Sequence, residues 1–123
     1  MKKLGSFSGV LTIVSAILIS DASAKGNIIE VNNLSRETVD VYVRGEGVES
    51  PVNPEVVLDG KTKKDITQTR PEAYMDVVVV SQGSAPDWNL TGGACKHLLT
   101  TTDHTVVIDD SMGGLKFSCE TIK

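Results

Sequence analysis

Valines at every second position mark the most regular stretch of the chain. In ETVDVYVRG, Val39, Val41 and Val43 fall on one side of an extended backbone, and Thr38, Asp40, Tyr42 and Arg44 on the other. That period-two pattern predicts a half-buried strand. A shorter version runs through NIIEVNN, with Ile29 and Val31 apolar and Asn32-Asn33 closing it. AYMDVVVVS instead carries four consecutive valines, Val77 to Val80. β-Branched side chains lose rotamer freedom in a helix and pack well on a pleated surface, so this run predicts a central strand covered on both faces. EVVL predicts a short strand, and CKHLLTT another with Cys95, His97 and Leu99 on one face. TVVID and LKFSCETI flank DSMGG as a terminal hairpin. In its second strand Leu115, Phe117 and Cys119 share the apolar side, while Lys116, Ser118 and Glu120 share the other. KTKKDITQT has one large apolar residue, Ile66, and reads as an exposed or edge strand whose lysines oppose edge-to-edge pairing.

The segments between these runs carry turn chemistry. Asp59-Gly60 is a turn signal in which Gly60 would take the left-handed backbone. GEGVESPVNP and QGSAPDWN have the Gly, Pro and Ser content of loops. Beyond the N-terminal apolar run no stretch keeps a helical period over three turns, and there is no internal repeat. About seven or eight short strands separated by turns predict an all-β fold, a small antiparallel β-sandwich of immunoglobulin-like architecture; a small β-barrel is the alternative. The antibody pattern itself is missing. Cys95 and Cys119 are too close together for the bridge that links the sheets of antibody domains, and Trp88 precedes both. The likeness is a general one to secreted β-sandwich modules, and no residue pattern ties the chain to a named family.

The first 24 residues change the picture from fold to address. Lys2 and Lys3 open the chain, an apolar run follows, and Ala22-Ser23-Ala24 supplies the small residues of a signal-peptidase site. The run is short of the roughly 20 apolar residues that a membrane span needs. Residues 1–24 are therefore expected to be a cleaved signal peptide and residues 25–123 a single β-sandwich domain, periplasmic or secreted, with no stable membrane anchor after cleavage. The formal net charge of the whole chain is −4, and loss of the leader makes the remainder more acidic. An acidic surface suits neither nucleic acid nor anionic membrane.

In an oxidising compartment two cysteines read as one disulfide, Cys95–Cys119. Two other readings compete. Cys95, His97, His104 and Cys119 have the composition of a Cys2His2 zinc site but match no common ligand spacing. A catalytic thiol would need an unpaired cysteine beside a base. The bridge is the expectation, with His97 a bystander, and no cofactor or metal is assigned.

Catalytic signatures do not emerge. The chain has no G-x-S-x-G, H-E-x-x-H, P-loop or G-x-G-x-x-G. His104 and Asp103 could be written into a triad, but sequence neighbours on a strand point apart. Asp109, Asp110 and Ser111 offer oxygens to calcium without EF-hand spacing, and read as a solvated turn. Asn33 and Asn89 fit the N-glycosylation pattern, without meaning in a bacterial periplasm. Trp88, the one tryptophan, is the residue with a functional tilt, either a partner-binding anchor or a lid folded back onto the core. The leading expectation is a non-enzymatic binding module for a protein or glycan partner, its contacts on the loops Gly45–Pro54 and Ser81–Asn89. The alternative is a structural subunit of an envelope or secreted assembly that uses an open sheet edge. An unrecognised hydrolase is the third reading.

Overall fold

The computed structural model describes residues 27–89 and 95–121. The expected leader and the Gly92-Gly93 pair lie outside the described residues. Among the described residues eight strands follow one another: β1 (Ile28–Asn33), β2 (Val39–Gly45), β3 (Val56–Leu58), β4 (Thr62–Thr67), β5 (Tyr74–Ser81), β6 (Cys95–Leu99), β7 (His104–Asp109) and β8 (Lys116–Thr121). They form two four-stranded sheets, one in the order β4-β1-β7-β8 and the other β3-β2-β5-β6. The expected β-sandwich is the observed fold, and the sheets stay separate rather than closing as a barrel. One pair departs from antiparallel order: β1 runs parallel to β7, with Val31 opposite Val106.

Alternation explains the core. Ile29 and Val31 of β1, Val39, Val41 and Val43 of β2, Met75, Val77 and Val79 of β5, and Val106 and Ile108 of β7 point between the sheets and are buried. Each such side chain withdrawn from water contributes about 1.5–3 kcal/mol before the entropy of ordering is counted. β5 lies between β2 and β6, the central position its valine run predicts. β4 is an edge strand that turns only Ile66 into the core. Leu115 and Phe117, expected to be buried, are half-buried: Phe117 lies on β8, the outermost strand of its sheet, and Leu115 just precedes that strand.

Four expectations need correction. β2 is buried on both faces, since Asp40 and Tyr42 on its outer side are 5% and 6% exposed; a segment of irregular chain covers them, which alternation cannot reveal. The Asp59-Gly60 turn, which joins strands of different sheets, places the left-handed backbone on Lys61, at φ 63°, and not on Gly60. Gly60 is required for another reason: a Cβ there would stand 2.6 Å from the backbone carbonyl of Arg36. The Cys95–Cys119 bridge, with Cα atoms 5.8 Å apart, does join the two sheets. It does so between the outer strands β6 and β8, where a short sequence separation suffices. Finally, β6 does not alternate simply. Leu99 faces Tyr74 and Leu98 faces Met75, but the next ladder pair is Cys95 with Val77. Lys96 and His97 therefore share one partner, Asp76, in a β-bulge. The bulge reverses the parity of β6, so that Leu98 packs toward the core with Cys95 while His97 and Leu99 are exposed.

Buried polar groups anchor the turns. The Asn33 amide donates to the carbonyls of Glu37, Leu58 and Asp59, and its oxygen accepts from the Ser35 N–H and hydroxyl. With Asn33 fully buried, this network locks the β1–β2 connection to the β3–β4 turn.

Candidate functional site

The outer face of the β3-β2-β5-β6 sheet carries a group of charged and aromatic side chains. Its floor is Trp88. After β5 the chain turns at Gln82-Gly83, where Gly83 N–H donates to the buried Asp40 carboxylate at 2.9 Å, and then runs back over the sheet. Trp88 lands on Tyr42 and Val78 and is 7% exposed. Its Nε1–H donates to the Ser50 hydroxyl at 2.8 Å, which ties this segment to the β2–β3 loop. Trp88 thus covers the outer face of one sheet instead of the space between sheets.

Above that floor the side chains form a chain of contacts. The Arg44 guanidinium lies 4.4 Å from the centre of a Trp88 ring, a cation–π contact, and its Nε is 3.3 Å from Asp76 Oδ2. The other oxygen of Asp76 accepts the His97 N–H at 3.1 Å. The β-bulge takes that amide out of the ladder, and Asp76 satisfies it. His97 has a left-handed backbone, φ 59°, a costly state for a residue with a Cβ. Its ring stacks on Tyr74 at 3.7 Å between centres and 12° between planes, and its Nδ1 is 2.7 Å from Glu46 Oε2. The His97 side chain is nevertheless 62% exposed. Leu99, opposite Tyr74 in the ladder, is 43% exposed, and Val48 and Val52 at the same end of the sandwich are 45% and 91% exposed. Arg70 fixes the base of the loop that presents these valines, donating to Val43 O at 2.9 Å and Glu55 Oε1 at 2.8 Å.

The remaining candidates have structural partners. Both cysteine sulfurs are in the bridge, which overturns the zinc and thiol alternatives. His104 is 1% exposed. Its Nε2 donates to the Leu99 carbonyl at 2.7 Å, and Nδ1 lies 3.3 Å from the Thr121 hydroxyl. Asp103 accepts the Ile28 N–H at 2.8 Å, so the two residues hold different strands and do not address each other. Asp109 accepts from the N–H and hydroxyl of Ser111, and these bonds hold its carboxyl below the usual aspartate range. Asp110 is likewise lowered, chiefly by the Arg36 N–H and then by its side chain. Asn33 is buried, whereas Asn89 is exposed.

Of this face, sequence reading singled out Trp88 and mentioned His97 as a bystander; it missed Arg44, Asp76, Tyr74 and Glu46 as a group. A signal was present: Asp76 is a carboxylate directly beside four valines, and a charge in a buried strand needs a partner. What the sequence does not carry is the bulge that turns His97 toward Tyr74.

Comparison with known proteins adds fold and no chemistry. No family model matches the chain, and no curated protein matches it. The structure is similar to part of the crystal structure of the human-specific toxin intermedilysin, with a TM-score of 0.53 and 13% sequence identity. The match covers 81% of this chain and 24% of the toxin. At that identity the likeness is one of architecture.

Proposed function

We propose that the protein is a secreted, non-enzymatic binding module for a protein partner, and that Tyr74, His97, Leu99 and Glu46 form the centre of its binding face. The observation that supports this reading is the conformation of His97. A residue with a Cβ is held left-handed in a bulge, with its side chain largely in solvent. Local strain of this kind persists where surrounding structure enforces it, and it concentrates at functional sites. Here the enforcement comes from Asp76, Tyr74 and Glu46. An aromatic pair flanked by exposed Leu99, Val48 and Val52 and rimmed by carboxylates has the composition of a protein-binding patch. The site differs from the one expected on loops alone, because two strands supply its central residues. Export fits the same reading. The A-x-A motif ending at Ala24 would leave Lys25 as the first residue, and the disulfide is compatible with an oxidising compartment.

His97→Gly tests the face. Glycine takes the left-handed backbone without penalty, which offsets the lost stacking on Tyr74, so stability should change by less than about 1 kcal/mol. Wild-type and His97→Gly proteins, beginning at Lys25, are used as paired baits in envelope extract and culture supernatant of the producing cells. Proteins captured by the wild type should be depleted at least about tenfold on the variant, a hot-spot-scale loss. Equal capture by a variant with an unchanged melt would remove this face from consideration.

A further inference from the structure

The four outer strands of the sandwich are not equally able to accept another strand. β3 has three residues and follows Pro54. β4 is charged on both sides, and Lys64 shares the inward side with Ile66, an arrangement that opposes pairing. β6 is interrupted by the bulge at His97. β8 has none of these devices. Its six residues pair with β7 in one unbroken antiparallel register, from Lys116 opposite Asp109 to Thr121 opposite His104. Among the described residues, no backbone hydrogen bond reaches it from the other side.

We propose that β8 is a dimerisation edge, on which a second copy of this chain pairs antiparallel about a twofold axis at Ser118. The side chains of the strand are self-complementary in that register. Lys116 of each copy lies opposite Glu120 of the other, and the two Ser118 side chains meet on the axis. All three residues are exposed and point away from the core, and neither Lys116 nor Glu120 has an ion-pair partner among the described residues. Asp109, across the ladder from Lys116, is engaged by Ser111. On the inward side Phe117 of each copy meets Cys119 of the other, so the half-buried Phe117 gains cover from the partner's disulfide. A slip of one residue would set inward side chains against outward ones. A slip of two loses both Lys–Glu pairs. The register centred on Ser118 alone satisfies face and charge together, and a twofold pairing of this kind closes on itself and leaves β8 with no free edge. This inference does not depend on the His97 face.

Charge reversal and its rescue decide the matter. Sedimentation equilibrium of the oxidised protein over a concentration series should show a monomer–dimer equilibrium. Lys116→Glu and Glu120→Lys each replace two attractive cross-strand pairs by two repulsive ones, and each should weaken the dimer at least about tenfold. The double variant restores opposite charges across the axis and should restore dimerisation. Ser118→Arg places two arginines at the axis and should leave monomer. Circular dichroism and melts on every variant establish that it is folded. A monomeric wild type, single variants that dimerise like the wild type, a double variant no better than the singles, or a dimer unaffected by Ser118→Arg would each overturn the proposal.

Discussion

At the scale of single residues, the molecule spends its one tryptophan on covering a sheet. Trp88 fills the space over Tyr42 and Val78 and closes a hydrogen bond to Ser50. Its truncation therefore leaves a cavity and an orphaned hydroxyl, while Arg44 loses the ring beneath it. Trp88→Ala should cost about 3–5 kcal/mol in chemical denaturation. Trp88→Phe keeps most of the volume and gives up the Nε1–H bond, for a smaller loss of about 0.5–1.5 kcal/mol. A Trp88→Ala melt close to that of the wild type would mean that the ring is dispensable to the fold. Lys61 and Gly60 show how two adjacent residues divide the demands of one turn. The left-handed backbone falls on Lys61, whose Nζ donates to Leu34 O at 2.6 Å. The absence of a Cβ is needed at Gly60, where Arg36 comes too close for a side chain.

At the scale of elements, the turns are joined by charges. Arg36, between β1 and β2, donates to Asp110, between β7 and β8, from its N–H at 3.1 Å and its Nε at 3.4 Å. Because this contact lowers the Asp110 pKa in the folded state, the stability it contributes is complete above the ordinary aspartate value near 3.8. It is lost as pH falls through the lower, folded value. Asp110→Asn should therefore flatten the acid side of the stability profile below about pH 4 relative to the wild type, as read by urea midpoints at a series of pH values. Identical profiles would remove the clasp from the stability account. Much of the element order was readable. The valine alternation of β2, the run of β5, the lysine-rich edge at β4 and the β7–β8 hairpin all follow from local pattern. The bulge in β6, the parallel pairing of β1 with β7 and the coverage of β2 on its outer side do not. Each depends on residues far away in sequence, namely Asp76 for the bulge, His104–Ile108 for β1, and Trp88 for the outer face of β2.

At the scale of the whole molecule, the disulfide closes one side of the sandwich. Cys95 and Cys119 are 24 positions apart and belong to different sheets. Removing the bridge frees a loop whose closure is worth about 3–4 kcal/mol by chain entropy, so Cys119→Ala should cost about 2–5 kcal/mol. Denaturant midpoints of the wild type, with and without reductant, should bracket the same difference, and thiol labelling of the unreduced protein should find no free cysteine. The parallel ladder bears on time as well as on shape. β1 is an inner strand of its sheet, between β4 and β7, and Ile28 and its partner Asp103 are 75 positions apart. A ribosome makes this strand first among the eight and its parallel neighbour next to last. The edge of β1 that faces β7 must therefore wait, unpaired, while nearly all the remaining polypeptide is synthesised. Contacts of such long range place the chain among the slower-folding topologies, on the order of milliseconds to seconds. A nascent chain stopped short of His104 holds every strand of the β3-β2-β5-β6 sheet but only β1 and β4 of the other, so the sandwich is completed only once synthesis is almost finished.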